Sequence, residues 1–72
     1  MIFNDRLKIL RAERGLTQEQ AAKAMQIPPR SYQRLEMDGQ KTLYDTLMTI
    51  ADFYDVSVDW LMGRTEKRAV NQ

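Results

Sequence analysis

Within the segment PPRSYQRLE, residues 28–36, three side chains that can hydrogen-bond in pairs share one side of a short helical pattern: Arg30, Gln33 and Arg34. Tyr32 and Leu35, three residues apart, mark the opposite, inward side. Helical spacing therefore points Pro29, Arg30, Gln33 and Arg34 away from the core. An arginine can bind both acceptors of a guanine edge, a glutamine can pair bidentately with adenine, and a proline ring can touch a thymine methyl. No other face of the chain gathers such base-reading types.

Other chemistry is largely closed off. The 72 residues include no histidine and no cysteine, which removes the commonest general base, the commonest metal ligand and any disulfide or thiolate site. The carboxylates are scattered at helix ends, where capping and dipole effects account for them, and none cluster as an acid–base pair. There is no glycine-rich phosphate loop. The five methionines fit core filling at helical spacing, not a ligand set. The chain is not expected to be an enzyme, and no cofactor, metal or small-molecule ligand is expected.

Net charge is only +1, but it is unevenly spread. Residues 1–42 carry eight Lys/Arg against five Asp/Glu, giving +3, whereas residues 43–62 carry four Asp and no cation, giving −4. The last ten residues carry three cations and one Glu, giving +2. The asymmetry hints at a cationic face in the first half, although ordinary scatter of surface charge gives the same pattern. At this length the chain is one domain at most, and marginally stable alone. Its start, MIFNDRLKIL, lacks the apolar core of a signal sequence, and no apolar run approaches the roughly 20 residues of a membrane span. Without cysteines or a signal peptide, the chain reads as cytoplasmic.

The elements that must position these residues are helical. Asn4 or Asp5 can cap a first helix with Phe3, Leu7 and Leu10 on its apolar side. Gly15 follows as a left-handed stop, with Leu16 at the hydrophobic contact of a Schellman motif. Thr17 and Gln20 form a capping box for a second helix, whose inward side is Ala22 and Met25 with Ala21 beside them. A third helix opens at Pro28–Pro29 and is followed by a loop containing Gly39. Thr42 and Asp45 give a further capping signal, and the fourth helix carries Tyr44, Leu47, Ile50, Ala51 and Tyr54 on one stripe. Ser57 caps a short fifth helix, with Asp59 in its first turn and Gly63 at its end. Val56, Val58 and Leu61 should complete the core, and the RTEKRAVNQ tail looks frayed. No alternating strand pattern occurs, so the fold class is all-α, a compact five-helix bundle.

The LRAERGLTQEQAAKAM run, the YQRLE helix and the LMTIADFYDVSVDWLMGRT ending, in this order and spacing, make the chain resemble the Cro/repressor-type (Xre-like) helix-turn-helix proteins of phages and bacteria. The resemblance covers residues 5 to 65. It implies a lambda-repressor-like DNA-binding domain over residues 1–65 and a short polar tail over 66–72. It implies a transcriptional regulator, a repressor, that binds double-stranded DNA at a symmetric operator as a homodimer. Ala22 would be the small residue where the second helix of the motif crosses the first. By the same resemblance Thr17 and Gln18 touch the DNA backbone, as do Gln40 and Lys41 in the loop after the third helix. Arg11 and Glu36 match a structural ion pair, and Val58, Trp60 and Met62 are candidates for the dimer interface. Trp60 also has a plainer reading as a partly buried core aromatic.

The chain departs from the family pattern in three places. Gln26 stands where a glycine is common at the turn, so it must take a left-handed conformation or force another turn. Pro28 and Pro29 replace polar residues at the opening of the third helix, which shifts specificity onto Arg30, Gln33 and Arg34. The loop MDGQK places its glycine one residue late. These departures leave room for a different use of the same fold, as a protein-interaction module or antitoxin.

Overall fold

The computed structural model describes residues 2–38 and 42–69. Its elements are α1 (Ile2–Glu13), α2 (Gln18–Ala24), α3 (Pro29–Met37), α4 (Tyr44–Tyr54) and α5 (Val58–Leu61), with no strand among the described residues. The expectation of an all-α, five-helix bundle holds. α3 packs against both α2 and α1, and α5 against α1 and α4.

α1 starts at Ile2, ahead of the expected Asn4 or Asp5 cap. Asn4 caps a different helix instead. Its Nδ2 donates to the carbonyl of Met37 at 3.1 Å, one of the carbonyls that the end of α3 leaves without an intrahelical donor.

Four helices end in the same way. After α1, Gly15 takes φ 65°, Leu16 N–H donates to the Arg11 carbonyl at 3.2 Å and Gly15 N–H to Ala12 at 3.0 Å. This pair of bonds is the Schellman stop. The same pair closes α2 around Gln26 (φ 58°), α4 around Asp55 (φ 55°) and α5 around Gly63 (φ 79°). Two of the four left-handed positions are therefore filled by residues with a Cβ.

The core joins Phe3, Leu7 and Leu10 of α1 to Ala21, Ala22, Met25, Tyr32, Leu47, Ile50, Ala51, Tyr54, Val56, Trp60 and Leu61. Leu35 and Val58, expected in this core, are only partly buried against it. Tyr44, expected on the inward stripe of α4, is 68% exposed. It occupies the first position of α4, and the buried stripe begins one turn later at Leu47. The N-cap of α4 is Leu43, without a side-chain cap, and Leu47 N–H closes the first turn on the Leu43 carbonyl at 3.0 Å. The helix thus starts one residue later than the Thr42/Asp45 signal implied. Gly39 lies outside the described residues.

Residues 65–68 are tied down, not frayed. Ser57 N–H donates to the Arg68 carbonyl at 3.0 Å, and Arg6 donates to the Thr65 carbonyl at 3.2 Å and to the Trp60 carbonyl. Arg6 pairs with Glu66 at 3.2 Å, and Arg68 pairs with Glu13. No helix among the described residues is long and apolar enough to cross a membrane.

Candidate nucleic-acid interface

The central unit is α2, its turn and α3. Thr17 Oγ1 accepts from Gln20 N–H at 3.0 Å while Gln20 Oε1 accepts from Thr17 N–H at 2.9 Å, so the capping box is complete. Ala21 and Ala22 are fully buried, and their small side chains let α3 pack closely. Gln26 then makes the left-handed turn at φ 58°. Pro28 caps α3 through backbone geometry alone, and its carbonyl accepts from Tyr32 N–H at 3.0 Å. Proline at this point removes an N–H that would have no intrahelical acceptor anyway.

The inner face of α3 is polar at its base. Glu36 is 1% exposed, and its carboxylate collects three charge-assisted or polar bonds. Arg11 Nε donates to Oε2 at 2.7 Å, Arg11 Nη2 to Oε1 at 3.1 Å, and Gln18 Nε2 to Oε1 at 3.0 Å. Arg11 also donates to the Leu16 carbonyl at 2.9 Å. Burial alone would raise the Glu36 carboxyl, but the bonds from Arg11 and Gln18, with Tyr32 adding to them, outweigh it and hold Glu36 below its ordinary value. Tyr32 and Tyr54 place buried hydroxyls nearby, and neither makes a hydrogen bond of ordinary geometry. Burial, with Glu36 adding to it, pushes both phenols up.

The outer face is the reverse. Pro29, Arg30, Gln33 and Arg34 are all exposed. Among the described residues neither Arg30 nor Arg34 forms an ion pair. A short helix is thus held by Tyr32 and Glu36 on one side and presents two guanidinium groups and a carboxamide on the other.

A helix-turn-helix family model matches residues 7–61. The chain belongs to the Cro/repressor-type (Xre-like) helix-turn-helix family. It is 38% identical over 65 residues to an uncharacterized HTH-type transcriptional regulator, YobD, of Bacillus subtilis (strain 168), covering 90% of this chain and 58% of that protein. It is 33% identical over 72 residues to the HTH-type transcriptional regulator ImmR of the same organism, covering 100% of this chain and 57% of that one. A third relative, the uncharacterized HTH-type transcriptional regulator YqaE, is 33% identical over 71 residues, with 99% and 61% covered. The chain thus spans about three fifths of the length of these relatives. No solved structure matches.

For an Xre-like protein, the other candidate residues are unevenly placed. Thr17 is exposed at the start of α2, with its hydroxyl oxygen in the capping box. Gln18 is half-buried and turned inward to Glu36. Gln40 and Lys41 lie outside the described residues. Of the three dimer candidates only Met62, at 46%, is strongly exposed. Val58 packs on the core. Trp60 is 8% exposed, with the Arg6 guanidinium 4.6 Å from its ring centroid and that of Arg68 at 5.1 Å. Within the single chain Arg6 of α1 and Arg68 already cover its ring, as the plainer reading of a partly buried core aromatic implies. Sequence reasoning missed two ties on α3, Asn4 to Met37 and Gln18 to Glu36. They join residues 33 and 18 positions apart, and local patterns carry no signal for such pairs.

Proposed function

We propose that this chain is the DNA-binding domain of a transcriptional regulator and reads double-stranded DNA with the outer face of α3. One observation carries the reading: Arg30, Gln33 and Arg34 are exposed together on a helix whose opposite face is fixed by buried Tyr32 and Glu36. Such a helix fits a major groove, where Arg and Gln make paired hydrogen bonds to base edges. The HTH-type transcriptional regulators among its relatives support the regulatory role. One short helix reads few bases, which favours two copies on a symmetric operator, and occupying that operator would repress a promoter. Thr17 at the start of α2 and the 40–41 segment flank the reading helix in sequence and are the candidates for phosphate contacts, which set register.

The test is fluorescence anisotropy of a labelled pool of duplexes across a salt series, comparing the natural chain with Arg30→Ala/Arg34→Ala. The natural chain should bind, with affinity falling steeply as salt rises, and the double variant should lose binding to the favoured duplex. Equal binding by the two proteins would overturn the assignment of the α3 face. It would favour a protein partner for the same fold.

A further inference from the structure

Resting on the DNA-binding reading above, we propose that Gln18 is a positioning residue: it acts on base recognition through Glu36, by seating α3, and not through a phosphate. Gln18 is the first residue of α2, and Glu36 is the next-to-last residue of α3. The Gln18 carboxamide donates to Glu36 Oε1 at 3.0 Å, and the same oxygen accepts from Arg11 Nη2 at 3.1 Å. One carboxylate therefore ties α3 to α2 and to α1 together. Among the described residues this is the one side chain–side chain hydrogen bond between α2 and α3. The buried side chains of the two helices, Ala21 and Ala22 on α2 and Tyr32 on α3, belong to the apolar core, and apolar packing tolerates sliding or rotation better than a directed bond does. Rotating α3 about its own axis would misdirect Arg30, Gln33 and Arg34 at once, because all three are exposed on the same nine-residue helix that Glu36 anchors.

A phosphate ligand and a positioning residue leave different marks. Losing a phosphate contact weakens all sequences alike and reduces the salt slope by about one unit. Losing the seat of α3 leaves the slope unchanged and penalises the preferred sequence above others. A duplex would first be selected from a random pool with the natural chain. Gln18→Ala, Glu36→Met (which removes the acceptor) and their combination would then be titrated against it, and against a scrambled duplex, over a salt series. The expected result for Gln18→Ala is a loss of about tenfold on the selected duplex, equivalent to one damaged bidentate base contact. The scrambled duplex should change little and the slope should hold. The combination should bind no worse than Glu36→Met alone. A slope lowered by about one unit with equal losses on both duplexes, or fully additive losses in the combination, would overturn the proposal.

A measurement on the natural chain guards against a poorly folded variant. The Gln18 side-chain amide protons should keep the same NMR shifts and slow exchange on adding the selected duplex, because their partner is Glu36. A large shift on binding would identify a phosphate acceptor instead. Failure of the natural chain to bind any duplex would remove the DNA reading itself, and the role of Gln18 with it.

Discussion

At the scale of single residues, the Arg11–Glu36 pair decides most. The two partners are unequally placed: the side chain of Arg11 is 23% exposed and that of Glu36 is 1% exposed. Removing Arg11 strands a buried carboxylate, whereas neutralising Glu36 leaves a guanidinium that water and the Leu16 carbonyl still serve. Arg11→Met should therefore cost about 3–5 kcal/mol, and Glu36→Gln about 1–2 kcal/mol because the amide keeps acceptor capacity. Urea denaturation of the two variants checks the order, and a costlier Glu36→Gln would contradict it. The pair also sets a pH response. The folded Glu36 carboxyl titrates below its ordinary value of 4.5, so between the two values the unfolded chain binds more protons and stability rises with pH. The contribution is complete above about pH 4.5 and is lost as pH falls through the lower, folded value. Denaturation midpoints across that acid range should fall more steeply for the natural chain than for Glu36→Gln. A parallel fall would place the acid sensitivity elsewhere. This pair was legible in the sequence only through the family pattern, since nothing local to either residue marks the partner 25 positions away.

At the scale of elements, local chemistry was most readable where the backbone itself is constrained. Gly15, the Thr17–Gln20 box, the proline start of α3 and the Ser57 cap all follow from side chains acting within a few residues. The failures fall where tertiary contacts choose the register. Asn4 looks like a cap, but packing of α1 against α3 turns its amide to Met37. The left-handed stops give two predictions. Gln26 holds φ 58° with a Cβ, a conformation that costs an ordinary residue roughly 1–2 kcal/mol. Gln26→Gly should raise stability by about 0.5–1 kcal/mol after the greater entropy of an unfolded glycine is set against that strain. A lower melting temperature for this variant would show that the Gln26 side chain contributes more than its backbone costs. Gly15 and Gly63 separate strain from crowding. A Cβ at Gly15 would meet nothing within 4 Å, whereas one at Gly63 would come within 2.8 Å of Ile2 Cδ1 and 2.9 Å of its Cγ2. Gly15→Ala should cost about 1 kcal/mol from φ alone, and Gly63→Ala a further 1–3 kcal/mol, roughly, from overpacking. Adding Ile2→Ala should recover most of that excess, because Ile2 is already 49% exposed. No recovery in a thermal melt would argue against the Ile2 contact as the cause.

At the scale of the whole molecule, the fold class was legible and the ties between distant segments were not. Helical periodicity and caps suffice to say five helices, but the bonds by which Arg6 and Glu13 hold residues 65–68 join positions 55 to 60 apart with ordinary surface residue types. An operator-bound assembly should contain two chains per duplex, measurable by analytical ultracentrifugation at saturation. A one-to-one complex would sink the symmetric arrangement. The dimer contact was expected at the last helix, where Trp60 is buried within its own chain and Met62 is exposed. The same enclosure has an optical consequence. Trp60 is the sole tryptophan, and its indole lies between one guanidinium from the first helix and one from the C-terminal segment. The protein thus carries its single indole where α1 meets residues 65–68, so a change in tryptophan emission reports on that seam.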